Sequence, residues 1–242
     1  MILENVWFEG ILDMIYPRCC PVCGEIVLPK GEKICPRCLK KLRFVHSPTC
    51  KCCGKEILSP VQEYCFDCSR RPKAFEYGMP LLNYEKYARR SVTAIKYKNK
   101  REYLDLYAEL LCAKFGRRMQ AISPDALVPV PIHKKKRRKR GFNQAEVLAR
   151  RMGRILEIPV WTDCLVRTKN TQPQKDLSAA ERFQNLKEAF AVEKDLNGVD
   201  AVVLIDDIYT TGATAQACTL ALKGAGVKRV YLAVICIGNG ER

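Results

Sequence analysis

The stretch Val202–Thr214, VVLIDDIYTTGAT, joins four apolar residues to two adjacent carboxylates and then to a hydroxyl-rich turn holding one glycine. A short apolar run that ends in turn chemistry reads as a strand covered on both faces, here AVVLIDD. TAQACTLALKGAG then reads as a helix stopping near Gly224 or Gly226, and VKRVYLAVICI as a further strand. Strand, helix and strand in that order imply a right-handed parallel crossover, hence an α/β parallel sheet with helices on both faces. Upstream, ALVPVPI, Ala126–Ile132, reads as another buried strand. Asn143-x-x-Glu146 forms a capping box that opens the helix QAEVLARRMGRIL. A helix from about Tyr103 carries Leu104, Tyr107, Ala108, Leu111 and Phe115 at helical spacing.

In such sheets ligands bind at the carboxyl edges of the strands, which singles out the loops after Ile205 and Ile132. In the first, Gly212 permits close backbone approach, Thr210, Thr211 and Thr214 offer hydroxyl and N–H donors, and the following helix points its positive end at an anion. Asp206 and Asp207 stand just before this cradle, spaced to accept hydrogen bonds from hydroxyls such as those of a ribose. Two adjacent carboxylates resist burial unless donors surround them, and a plain strand end with a helix cap would not require the pair. The second loop, HKKKRRKRGFNQ, has seven consecutive cations from Lys134 to Arg140. It leaves a strand and enters a capped helix, where it can neutralise a pyrophosphate. Cations that do not reach the ligand remain available to a nucleic-acid backbone.

Ten of the fourteen cysteines lie between Cys19 and Cys68. At an offset of 30 residues CPVCGEIVLPKGEKICPRC falls on CKCCGKEILSPVQEYCFDC, each copy reading Cys-x2-Cys-Gly, eleven residues between the second and third cysteines, then Cys-x2-Cys. That spacing supplies four thiolates to a structural zinc, whereas a disulfide framework needs an oxidising compartment. Sequential sites would use Cys20, Cys23, Cys35 and Cys38, then Cys50, Cys53, Cys65 and Cys68; a crossed pairing of the two Cys-x2-Cys-Gly knuckles is the alternative. Cys19 and Cys52 are spare in either case. Cys112, Cys164, Cys218 and Cys236 read as small core residues. The expected division is residues 1–75, an N-terminal helix and double zinc ribbon, and residues 76–242, the α/β domain.

Lys and Arg outnumber Asp and Glu by 42 to 26, and the net charge of +16 favours phosphate-bearing partners. The opening residues carry Glu4, Glu9 and Asp13 and no basic region, and no apolar run is long enough to span a bilayer, so the expectation is a cytoplasmic protein. Ile2, Leu3, Val6, Ile11, Leu12 and Ile15 suit a short amphipathic helix docked on the body of the protein.

VVLIDDIYTTGAT resembles the phosphoribosyl-pyrophosphate motif of type I phosphoribosyltransferases. Together with VPVPIHKKKRRKRGFNQAEVLAR, RTKNTQPQKDLSAAERFQNLKEAF and the cysteine repeats, it resembles the ComF family over nearly the whole chain. The resemblance implies that Asp206 and Asp207 hold the ribose hydroxyls of phosphoribosyl pyrophosphate, that Tyr209 belongs to the same binding motif, and that Thr210, Thr211, Gly212, Ala213 and Thr214 cradle the 5′-phosphate. It implies a pyrophosphate loop of Val130, Pro131, Ile132, His133 and Lys134, a family signature at Arg140, Gly141, Phe142, Asn143 and Gln144, and a mobile lid from Arg167 to Arg182. Magnesium would accompany the pyrophosphate. The reaction implied is displacement of pyrophosphate from C1 of the ribose by a nitrogen nucleophile, and no residue stands out as its general base. The same family points alternatively to a non-catalytic ligand sensor, or to a scaffold that binds single-stranded DNA and works with a competence helicase in DNA uptake.

Overall fold

The computed structural model describes residues 17–168 and 189–238, and the elements are numbered within them. The N-terminal helix expected from Ile2 to Ile15 and residues 169–182 of the expected lid lie outside the described residues. Four strands form a wholly parallel sheet in the order β1-β6-β5-β2: β1 Gly78–Asn83, β2 Ala126–Pro129, β5 Ala201–Tyr209 and β6 Arg229–Ile237. A separate antiparallel pair is made by β3 Leu165–Arg167 and β4 Phe190–Val192. Helices α3 Lys86–Tyr97, α4 Tyr103–Ile122 and α6 Gln144–Leu156 pack with Val203, Ile205, Ala233 and Ile235 on one face. Helix α7, Ala213–Gly224, packs with Val202, Leu204, Val230 and Leu232 on the other. Both faces are covered, which is why β5 is apolar without alternation until it reaches Asp206.

Two short helices, α1 Pro36–Leu39 and α2 Phe66–Arg70, each begin after the third cysteine of a repeat. The two repeats straddle the β1 edge of the sheet. Cys20, Cys35 and Cys38 join the core on the α4 face, while Cys50, Cys53, Cys65 and Cys68 join the core on the α7 face. Between them the chain pairs with β1: Val45 N–H donates to Leu81 O at 3.0 Å and Asn83 N–H to Arg43 O at 2.8 Å. An open sheet edge is thereby covered.

Three boundaries differ from the sequence reading. Strand β2 ends at Pro129 instead of Ile132, because Pro129 and Pro131 have no N–H for the ladder; Val130 N–H still reaches Ile205 O at 2.9 Å. The cationic run is a helix and not a loop: α5 spans Lys134–Arg140. His133 Nδ1 accepts from Lys135 N–H at 3.2 Å at its start, and Gly141 at φ +77° closes it, so the ends hold a segment whose charges repel. Finally, β5 continues to Tyr209, carrying both aspartates into the sheet.

Candidate functional site

Strand alternation sends the two aspartates to opposite faces. Asp206 is half-buried on the α7 side, lining a cleft with Thr210, Thr211, Gly212 and Thr214. Asp207 is buried on the other side, where its carboxylate pairs with the Lys96 ammonium from α3 and accepts from Gln144 Nε2 at 3.2 Å. Burial and then the charge of Asp207 push the Asp206 carboxyl well above its ordinary range. Burial acts upward on Asp207 too, but Lys96 and the donors of Asp206 and Gln144 outweigh it and hold that carboxyl low.

The turn after β5 exposes Thr210 and Thr211 in front of α7, whose first N–H groups face the cleft. Gly212 sits at φ +75°, and a Cβ there would lie 2.2 Å from the Tyr209 hydroxyl. Its lack of a side chain therefore serves the packing of Tyr209 beneath the turn. Gly212→Ala is expected to displace the turn and cost about 2 kcal/mol, read as a lowered urea midpoint; an unchanged midpoint would contradict the packing.

The signature residues join this turn to the cationic helix. Asn143 caps α6 by accepting from Ala145 N–H at 3.1 Å, and its Nδ2 donates to Val130 O at 3.0 Å. Glu146 does not close the expected capping box but pairs with Arg150 at 3.0 Å and Arg137 at 3.5 Å. Gln144 accepts from Arg140 Nη1 at 3.1 Å while donating to Asp207, and Arg140 lies 5.2 Å from the centre of the Tyr97 ring. Phe142 is buried beneath the guanidinium of Arg101 at 4.3 Å. Pro131, Ile132 and His133 are half-buried at the end of β2, and Lys134 is exposed.

A crown of cations surrounds the strand ends. Partial burial first, and then Arg167 and Arg140, hold the Lys136 ammonium low; Arg167 is lowered by burial, against the pull of Cys218 and Asp206. His133 is lowered by desolvation and then by Arg167, Lys135 and Lys136, in keeping with a neutral ring whose Nδ1 accepts. Charge of one sign collected around strand ends is chemistry for an anion.

The cysteines form two closed centres. The ligand atoms of Cys20, Cys23, Cys35 and Cys38 lie within 4.8 Å of one another, as do those of Cys50, Cys53, Cys65 and Cys68, so the pairing is sequential and the crossed alternative is excluded. Zinc with sulfurs at about 2.3 Å needs them roughly 3.8 Å apart, and both tetrads fit it. Each knuckle repeats one turn: Gly24 N–H donates to Cys20 O at 2.9 Å and Gly54 N–H to Cys50 O at 3.0 Å, with both glycines at positive φ. Four thiolates leave no open position, so a metal held there would be structural.

Sequence reasoning missed Lys96 and the approach of residues 73–75 to the turn after β5. Lys96 follows Val92 by four residues, so it borders the buried face formed by Ala88, Ser91, Val92 and Ile95. A lysine at the rim of an apolar helix face is the signal that could have found it. Nothing local marks residues 73–75, whose role depends on how the second cysteine repeat docks.

A family model described as "Double zinc ribbon domain" matches residues 11–69. The chain is 31% identical to Competence protein F of Haemophilus influenzae, over 89% of this chain and 94% of that protein. It is 29% identical to DNA utilization protein YhgH of Escherichia coli, over 90% and 89% respectively. Its identity with Competence protein ComFC of Bacillus subtilis is 26%, over 78% of this chain and 77% of that protein. Among solved structures, a purine phosphoribosyltransferase of Pyrococcus horikoshii superposes with a TM-score of 0.35 at 18% identity, covering 56% of this chain and 73% of that one. So loose a superposition carries no inference.

Proposed function

The chain belongs to the ComF family of competence and DNA-utilization proteins, and from that premise we propose that it binds phosphoribosyl pyrophosphate and transfers its phosphoribosyl group to a nitrogen acceptor. One observation carries the reading: a half-buried carboxylate, Asp206, stands between a neutral threonine turn at a helix start and a crown of cations. Those three chemistries, in that order, suit a 5′-phosphate, a ribose diol and a pyrophosphate. Asp206 takes the ribose hydroxyls, and Thr210 to Thr214 with the first N–H groups of α7 take the 5′-phosphate. Val130 to Lys134 and the cations of α5 face the pyrophosphate. Asp207 acts behind Asp206 by holding Lys96 and Gln144 in place.

Magnesium fits only as part of the ligand. Among the described residues Asp206 is the one carboxylate lining the cleft, too few oxygens for this hard cation alone, so magnesium would come bound to the pyrophosphate, where it would supply charge neutralisation. The chain's own contribution to the chemistry is orientation and stabilisation of the departing pyrophosphate. A screen for pyrophosphate release against nitrogen nucleophiles tests turnover: release that depends on one acceptor supports the transferase, and ligand binding without release from any acceptor would leave a sensor.

A second reading concerns DNA. Lys134 to Lys139 are exposed, more cations than one pyrophosphate can use, which favours single-stranded DNA along α5 as an additional partner. Its affinity is expected to fall linearly with log salt, and neutralising Lys134, Lys135, Arg138 and Lys139 to Gln should flatten that slope. Salt-independent binding would contradict the assignment. Among the described residues no helix is long and apolar enough to cross a membrane.

A further inference from the structure

We propose that the second cysteine repeat is a working part of the phosphate site, with Lys73 supplying the positive charge for a phosphate held at Thr210–Thr214 and residues 74–75 fixing that turn. The inference rests on the phosphoribosyl reading above. The turn Thr210–Thr214 contains no charged residue of its own, and among the described residues the cations gathered around Lys136 come from α3, α5 and β3, the side assigned above to the pyrophosphate. Lys73 approaches from elsewhere: three residues beyond α2, its Nζ stands 3.4 Å from Thr211 O. A phosphate seated among the threonine hydroxyls and the α7 N–H groups would lie beside that ammonium. The contact is charge-assisted and lies at the exposed face of the turn, where an incoming phosphate can reach it.

The neighbouring residues brace the turn from beneath. Ala74 N–H donates to Gln216 Oε1 at 2.7 Å, tying the repeat to the first turns of α7. Phe75 is buried edge-on against Tyr209, ring centres 6.2 Å apart and planes at 88°. Tyr209 in turn fills the space under Gly212. The brace is anchored in the cysteine knuckle: Gly78 N–H donates to Cys52 O at 2.7 Å, and a Cβ on Gly54 would meet Gly78 O at 2.4 Å. Contact this close needs glycine on both sides and leaves no slack between the Cys50–Cys53 turn and the start of β1. The first repeat, packed on the α4 face, makes no such contact with the turn among the described residues.

The experiment uses the full zinc-loaded chain and three probes: phosphoribosyl pyrophosphate with magnesium, ribose 5-phosphate, and pyrophosphate. Lys73→Ala should weaken the first two by about tenfold while leaving pyrophosphate binding and zinc content unchanged. Lys73→Arg should restore most of the loss, and Lys30→Ala, an exposed lysine of the first repeat, should change nothing. Phe75→Ala, which keeps the charge but removes the brace, should weaken ribose 5-phosphate selectively. Equal affinity of Lys73→Ala and the parent chain for ribose 5-phosphate would overturn the inference, as would an equal loss for pyrophosphate. A parent chain that binds none of the three would bring down the phosphoribosyl reading together with this one.

Discussion

Asp207→Asn is expected to destabilise the protein by about 3 kcal/mol, and Asp206→Asn to stabilise it by about 1 kcal/mol, although the two changes are chemically identical and one residue apart. Removing the Asp207 charge leaves the Lys96 ammonium beside an uncharged amide in a site where the carboxylate is 7% exposed and the lysine 18%. For a chain of 242 residues the loss is a fall in melting temperature of roughly 6–12 °C. Removing the Asp206 charge relieves a half-buried carboxylate that has a second carboxylate as its neighbour. The pH dependence separates them further. Asp206 has a raised folded pKa, so its unfavourable contribution is absent in acid and develops as pH rises through and above the ordinary aspartate range; the gain in Asp206→Asn should vanish below about pH 4. Asp207 has a lowered folded pKa, so its stabilisation is present above the ordinary range and lost as pH falls through the depressed value. Thermal unfolding at pH 7, at pH 4 and at a pH below the ordinary aspartate range measures both, and two changes of the same sign at pH 7 would contradict the opposed placement of the carboxylates.

Removal of zinc should have the largest effect of any perturbation. Metal analysis is expected to find two zinc ions per chain, and chelation under reducing conditions should release both. Structural zinc contributes on the order of 10 kcal/mol to small ribbons, and here the ligands also belong to the cores on both sides of the sheet. The metal-free chain should lose amide protection through residues 20–68 and along β1, whose free edge is covered by Arg43 to Val45. Protection within α4 and α6 should persist longer, because those helices pack on each other and α6 packs on β2 and β5. One zinc per chain, or protection at β1 unchanged by chelation, would contradict this arrangement.

Periodicity and spacing made much of this legible. The apolar runs at Ala201 and Arg229 announce buried parallel strands, the face of α4 shows in Leu104, Tyr107, Ala108 and Leu111, and the 30-residue cysteine repeat gives the tetrads. Sequential pairing was one of two readings until sulfur distances decided it. Lys134–Arg140 reads as a loop because a run of like charges has no apolar face; its helix is imposed by His133 and Gly141 at the ends. The opposed directions of Asp206 and Asp207 follow from strand alternation once β5 is known to run past them to Tyr209. Past Asp207 that alternation slips by one, Ile208 packing on the α4 side and Tyr209 on the α7 side, which places Tyr209 against Phe75. Partners brought from distant parts of the chain, Lys96 for Asp207 and Lys73 for Thr211, leave no local pattern because they depend on docking between elements.

Calorimetric titration of the zinc-loaded chain with phosphoribosyl pyrophosphate and magnesium, alongside Asp206→Asn, tests the ligand assignment most directly. Saturable binding at one ligand per chain, weakened at least about tenfold by Asp206→Asn while that variant remains folded and at least as stable as the parent, is the expected result. No binding by the parent chain, or binding that Asp206→Asn leaves unchanged, would contradict it.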